Sequence, residues 1–317
     1  MKKYRNALVL GGGGAKGFAH LGAVTVLERE KLRPDMICGT SAGSLAGAFY
    51  AIYADRITEL DNIERTREFK ILQTLKLDAV EFEKERQGLF MKTVSAVKKK
   101  FLLVKMLRDN ALAKREDVEP VFRQLFGDMT FENLPITLVA AAFDLVSGRD
   151  VCIKSGPLWK GILASCSIPG ILPPVEYDGM LLVDGGITNR LPVKCAVLSG
   201  AQNIMVIDLS RPLTPIREMN SVVNIHLRTD AILASRFDLY NKNMADLVME
   251  TGLEDMRWND FAKYGYAMEK GRKMARENLP EIKRIMSRTY AYRKKVRRLL
   301  GLGIAVTPIP PEEYMFL

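Results

Sequence analysis

The chain has 317 residues, 48% of them hydrophobic and 26% charged, which is material for a folded globular protein of one large domain or two modest ones. Its 47 lysines and arginines outnumber its 37 aspartates and glutamates by ten, so an anionic partner is expected, either nucleic acid or an acidic membrane surface. The apolar run after the basic opening ends at Leu10, too short for a secretory core, and no later stretch of about 18 uncharged apolar residues would span a membrane.

Residues 5–10, "RNALVL", read as a buried strand stopping at a glycine turn, and "KGFAHLGAVTVLEREK" from Lys16 has helical spacing. "DMIC" is a short strand, "GTSAG" a tight turn and "SLAGAFYAIYA" an apolar helix. This alternation predicts an α/β fold with a mainly parallel central sheet flanked by helices in three layers. Residues 55–130 carry charge throughout with apolar residues at helical spacing and read as a helical insertion, a lid or a membrane contact. Within it, 88–116 is rich in both lysine and large apolar residues. "ITLVAAAFDLV" and "DVCIKSG" are strands joined by a hairpin turn at "SGR", and "MLLVDGG" and "NIMVIDL" are two more. From about 236 the pattern is helical again, with the basic run "RKKVRR" at 293–298. The simplest organisation is an α/β domain over 1–235 with a helical extension, 236–317, packed on it.

Cys38, Cys152, Cys166 and Cys195 are scattered, with no C-x-x-C pair. That spacing disfavours zinc and fits a reducing, cytoplasmic compartment where the cysteines act as small apolar residues.

The chemistry concentrates in three short stretches. In Gly39-Thr40-Ser41-Ala42-Gly43, glycines on either side of the serine permit a sharp strand-to-helix turn that leaves its hydroxyl exposed near unpaired N–H groups. The plain alternative is a serine that only caps the helix. In Gly11-Gly12-Gly13-Gly14-Ala15-Lys16-Gly17, bare N–H groups at a helix start bind negative charge. Such a loop would serve as an oxyanion hole, or as a dinucleotide site with Gly12, Gly14 and Gly17 as its glycines and Asp35, about 20 residues on, as the ribose acid. It would also serve as a tight turn and nothing more.

A base for Ser41 has only two histidine candidates. His20 sits one turn into the first helix as a packing or positioning residue, and His226 sits in the strand-like "VVNIHLR". A carboxylate offers another route: Asp184 ends an apolar strand, with Gly185 and Gly186 opening the next turn, although an Asp-Gly-Gly sequence is commonly only a turn.

Together the three stretches resemble the patatin-like phospholipases, lipid acyl hydrolases with a Ser-Asp dyad. That family combines a G-G-G-x-[RK]-G loop, a G-x-S-x-G elbow and a later D-G-[AG], and "ASCSIPGILPPVEYDGMLLVDGGITNRLPV" is similar to its fourth block. The resemblance covers about residues 5–55 and 130–210. It implies Ser41 as nucleophile, Asp184 as base, the N–H groups of Gly12, Gly13 and Gly14 as oxyanion hole, and Lys16, Gly17, Gly39, Gly43, Gly185 and Gly186 as motif support. No metal and no organic cofactor is implied. A carboxylate starts some 2.5 pKa units below imidazole, about 3.5 kcal/mol as a proton acceptor, which partial burial and an oxyanion loop would recover.

The substrate so implied is a phospholipid or other lipid ester. Peripheral contact with an anionic membrane, at the inner face, is expected through 88–116 and 293–298, where the ordinary alternative is a solvated helix. A nicotinamide-dependent oxidoreductase would leave "GTSAG" and "VDGG" unexplained, whereas a non-catalytic regulatory or membrane-binding protein on the same fold remains the main rival. Nucleic-acid binding has only charge in its favour, since no reader motif is recognisable.

Overall fold

The computed structural model describes residues 4–75, 111, 113–215, 222–299 and 314–317. Strand β1 (Tyr4–Leu10) runs into the glycines, which lead through a 3₁₀ turn, Gly14–Gly17, into α1 (Phe18–Arg29). There follow β2 (Met36–Thr40), α2 (Ala42–Tyr53), α3 (Ile57–Asp61), α4 (Arg67–Gln73) and α5 (Arg115–Phe126). The middle of the chain supplies β3 (Thr137–Asp144), β4 (Arg149–Ile153), α6 (Leu158–Cys166), β5 (Val175–Tyr177), β6 (Met180–Asp184), α7 (Val193–Leu198) and β7 (Ala201–Asp208). The last described elements are α8 (Val222–Lys242), β8 (Leu247–Glu250), α9 (Tyr264–Met286), α10 (Arg288–Leu299) and β9 (Tyr314–Phe316).

The sheet order is β5-β6-β3-β2-β1-β7-β8, with β4 on β3 and β9 on β4. β1 pairs in parallel with both β2 and β7, and the parallel set extends to β3 and β8. β6 runs antiparallel to β3, and the "SGR" turn closes the antiparallel β3–β4 pair. Both faces are covered, as the continuous apolar strands require. On β1, Leu8 and Leu10 pack with α1, α2 and α9, while Ala7 and Val9 pack with Val193, Cys195 and Ala196 of α7. The same alternation sends Ile37 one way and Met36 and Cys38 the other. Each leucine or isoleucine so buried contributes roughly 1.5–3 kcal/mol.

Helix α9 crosses α1 at a glycine on each. A Cβ on Gly22 would lie 2.0 Å from the Met268 carbonyl oxygen, and one on Gly271 would lie 1.9 Å from that of Ala19. Only glycines let the two backbones touch, and this contact fastens the C-terminal extension to the first helix of the sheet domain.

Three expectations change. The extension is mostly helical, but β8 and β9 join the sheet, because short runs such as "LVME" complete the β7 and β4 edges. "VVNIHLR" is the start of α8, not a strand, so tertiary context overrides its β-branched residues. Cys152 and Cys195 form a disulfide, since β4 and α7 bring their Cα atoms to 6.0 Å; the expectation of four reduced cysteines is corrected accordingly. Of 88–116, the part 88–110 and residue 112 lie outside the described residues. Among the described residues no helix is long and apolar enough to cross a membrane.

Candidate active site

β2 continues two residues further than its apolar run, through Gly39 and Thr40, so Ser41 is the hinge between strand and helix. Its backbone takes φ 54° and ψ −125°, a conformation that costs a non-glycine residue on the order of 1–3 kcal/mol. The flanking glycines are there for closeness: a Cβ on Gly43 would lie 2.0 Å from the Leu10 carbonyl oxygen, and one on Gly39 would lie 2.5 Å from the Gly43 backbone. Hydrogen bonds hold the turn. The Ser41 N–H donates to Ser165 Oγ at 3.0 Å, Ser165 donates to the Ala141 carbonyl at 2.6 Å, and the Thr40 hydroxyl donates to the Asn189 carbonyl at 2.7 Å.

Ser41 stands at the start of α2 but makes no capping bond with its side chain. It stands near Asp184, at the end of β6, whose carboxylate the Ser41 side chain favours in its ionised form. Asp184 also caps the Gly185–Ile187 turn, Oδ1 accepting the Gly186 N–H at 2.7 Å. Burial pushes its pKa up to about 6, against the nearby Ser41 side chain and the Gly186 N–H bond, which favour the anion. The carboxylate is therefore close in basicity to a free imidazole.

The glycine loop sits over this pair. Gly12 faces Ser41 so closely that a Cβ would lie 3.5 Å from the serine Cβ. Its N–H, however, donates to the Arg190 carbonyl at 3.0 Å, just as Gly11 donates to Ile207. The expectation of Gly12 as an oxyanion donor is corrected on that ground. Among the described residues the N–H groups of Gly13 and Gly14 have no hydrogen-bond acceptor. Gly14 has φ +57°, and a Cβ there would strike the Trp258 carbonyl, which accepts the Ala15 N–H at 2.6 Å. Gly17 leaves room for Ala42. Lys16 is buried with its Nζ donating to the Leu209 carbonyl at 3.4 Å; burial, with Arg211 nearby, lowers its pKa to about 8.

The other sequence candidates lie apart from the chemistry. His20 donates from Nε2 to the Gly11 carbonyl at 2.8 Å, and complete burial lowers its pKa to about 4. A neutral imidazole locked to the loop backbone positions the loop and does not act as a base. Asp35 precedes β2, at the end of the sheet remote from the glycine loop, and accepts the Asn6 N–H at 2.7 Å. A ribose acid would have to stand at the carboxyl ends of the strands, so the dinucleotide reading fails.

Beside Ser41 opens an apolar cavity of about 290 Å³. Leu45, Phe49, Phe69, Phe122, Ile171 and Trp258 are among its walls, which come from α2, α4, α5 and the segments before β5 and α9. Phe18, Phe69 and Tyr264 meet edge to face along one side. Sequence reasoning missed Ser165, Asn189, Arg190 and Trp258. The first three lie within the fourth block and act through one hydroxyl and two carbonyls; Trp258 had no motif to point to it.

A family model described as patatin-like phospholipase matches residues 8–197, and the chain belongs to that family. An uncharacterised NTE family protein of Mycobacterium bovis is 32% identical over 206 residues, 65% of this chain and 49% of that protein. Patatin-like phospholipase domain-containing protein 6 of Mus musculus is 30% identical over 205 residues, 64% of this chain and 13% of that protein. Lysophospholipase NTE1 of Lodderomyces elongisporus is 30% identical over 202 residues, 64% of this chain and 12% of that protein. The match thus spans about half of the first relative and far less of the other two. The crystal structure of VipD from Legionella pneumophila superposes with a TM-score of 0.44 at 12% identity, covering 88% of this chain and 67% of that one.

Proposed function

We propose that the chain is a serine acyl hydrolase of lipid esters, of phospholipase A or lysophospholipase type, working through a Ser41–Asp184 dyad. The observation that carries this reading is a strained, 8% exposed Ser41 at the wall of an apolar cavity, with the buried Asp184 carboxylate near enough for the serine side chain to favour its anion. Names among the relatives, phospholipase and lysophospholipase, point to the same substrate class.

Asp184 takes the hydroxyl proton as Ser41 Oγ attacks the ester carbonyl, and the carbonyl oxygen gains negative charge. The N–H groups of Gly13 and Gly14 receive that charge, each well-placed donor supplying on the order of 3 kcal/mol. Collapse breaks the bond to the leaving alcohol, which recovers the proton from Asp184 and leaves an acyl-serine. Water then repeats the attack with Asp184 as base and releases the fatty acid. The acyl chain lies in the cavity, where each buried methylene contributes about 0.8 kcal/mol.

Peripheral contact with an anionic membrane belongs to the same proposal. Of the two basic stretches expected to make it, 88–110 lies outside the described residues and 293–298 lies on α10, where Lys294 is engaged by Asp246. The Cys152–Cys195 disulfide favours an oxidising compartment over the cytoplasm. Labelling with a fluorophosphonate probe, mapped by peptide mass spectrometry, tests the catalytic reading. An adduct on Ser41, absent in Asp184→Asn, supports it; an unlabelled folded protein favours a non-catalytic binding role on the same fold.

A further inference from the structure

Helix α8 carries an apolar face that is largely exposed, only Tyr240 at its C-terminal end meeting a described side chain, the Lys194 ammonium over its ring at 5.3 Å. It has 21 residues, about 31 Å at the usual rise, and touches the body chiefly through α7 and the Gly185–Ile187 turn. Between Ile225 and Lys242, among the described side chains, only Asp238 and Asn241 are fully buried. Asp238 is held by the Arg190 guanidinium, whose Nε donates at 2.9 Å, and Lys242 pairs with Asp208 at 2.6 Å. The buried anchoring is therefore at the C-terminal end, beside the Asn189–Arg190 segment whose carbonyls hold Thr40 and Gly12, while nearer the N-terminus Arg228 donates to the Thr214 carbonyl at 2.8 Å.

On the opposite side, Ile225, Ile232 and Leu239 recur every seven residues, and Leu233, Phe237 and Tyr240 widen the stripe at spacings of four and three. All six are exposed, Leu233 to 50% and Leu239 to 61%. Soluble monomers rarely leave so continuous an apolar stripe in water. Ile187, in the turn after Asp184, and Leu213, beyond the end of β7, are exposed as well.

We infer that this face of α8 is the surface by which the protein docks on an anionic lipid bilayer, presenting the Ser41 site to it. The cations favour lipid over a second copy of the chain. Arg236 lies within the stripe and Arg228 at its edge, against the single exposed acid Asp230, in a chain of net charge +10. Lipid phosphates would meet these arginines at the headgroup level while the six apolar side chains enter the acyl boundary. A self-paired dimer would bury both copies' arginines with too few acids to match them. The inference rests on the lipid hydrolase reading for its substrate but not for its test.

The test is sedimentation of the full chain with large unilamellar vesicles of phosphatidylcholine, with and without phosphatidylglycerol. The wild type should pellet with the phosphatidylglycerol vesicles. Leu233→Glu combined with Leu239→Glu should weaken that binding at least about tenfold while hydrolysis of soluble p-nitrophenyl butyrate is unchanged. Arg228→Glu with Arg236→Glu should remove the preference for phosphatidylglycerol. Equal partition of wild type and the double glutamate variant overturns the inference, as does a wild type that ignores vesicles. A dimer in light scattering that the glutamates dissociate, without vesicle binding, assigns the face to a second copy instead. A large fall in Tm of the glutamate variant means that the chain itself covers the face, and also overturns it. Vesicle binding that the glutamates abolish, with no ester hydrolysis by the wild type, leaves docking in place and removes the catalytic reading.

Discussion

Gly22 of α1 and Gly271 of α9 occupy reciprocal positions, each lying where the other helix's backbone allows no side chain. Alanine at either site gains up to about 1 kcal/mol of helix propensity but must displace a carbonyl some 2 Å away. Backbone does not yield as a flexible side chain does. Gly22→Ala and Gly271→Ala should each cost about 2 kcal/mol or more net, read as a lowered denaturant midpoint at unchanged slope. A neutral or stabilising effect would mean the helices do not cross there.

In the proposed dyad Asp184 trades stability for chemistry. Its folded pKa of about 6 lies above the ordinary 3.8, so the folded state holds the proton more tightly, and stability from this group is full below about pH 4 and lost as pH rises through about 6. Asp184→Asn should therefore be more stable than wild type at pH 8, by about 3 kcal/mol, with the difference vanishing toward pH 4. The same variant should lose about 10²–10⁴ in kcat. Melting curves at several pH values, beside ester turnover, check both.

The pH profile follows from the same residue. Since the base must be ionised, kcat/KM should rise with pH along one limb centred near 6. His20, with its pKa near 4, should add no limb of its own in that range. A profile centred near 4 would mean that Asp184 is not desolvated, and one lost in Asp184→Asn without loss of rate would assign the limb elsewhere.

What was legible in the sequence was what local backbone geometry dictates. Ser41, Asp184 and the glycines lie in short stretches whose turns need them, and β1, β2, α2, β6 and β7 follow from apolar runs bounded by those turns. Gly12 was expected as an oxyanion donor, but its N–H goes to a carbonyl of residue 190, and carbonyls leave no trace in side-chain identity. The walls of the cavity converge from distant segments with no motif of their own. The disulfide joins residues with 43 positions between their numbers, across β4 and α7, and scattered cysteines do not announce such a pair.

The disulfide itself is testable. A loop of that length removes enough denatured-state entropy to stabilise by about 4 kcal/mol in the chain-entropy account. Non-reducing peptide mapping should find Cys152 linked to Cys195, and Cys152→Ser should lower Tm. Two free thiols in the folded protein would contradict the pairing.

Leu72 on α4 forms part of the cavity wall. Leu72→Trp should fill space meant for the distal acyl chain, lowering kcat/KM for laurate esters about tenfold or more while butyrate esters change little. An equal effect on both would place the acyl chain outside this cavity.

The most direct measurement is fatty acid release from dispersed lysophosphatidylcholine and phosphatidylglycerol by the wild type and by Ser41→Ala, both shown to be folded. Release by the wild type that falls at least about a thousandfold in Ser41→Ala is the expected result. Equal release by the two proteins, or none from the wild type on any lipid ester, would contradict a Ser41-dependent acyl hydrolase.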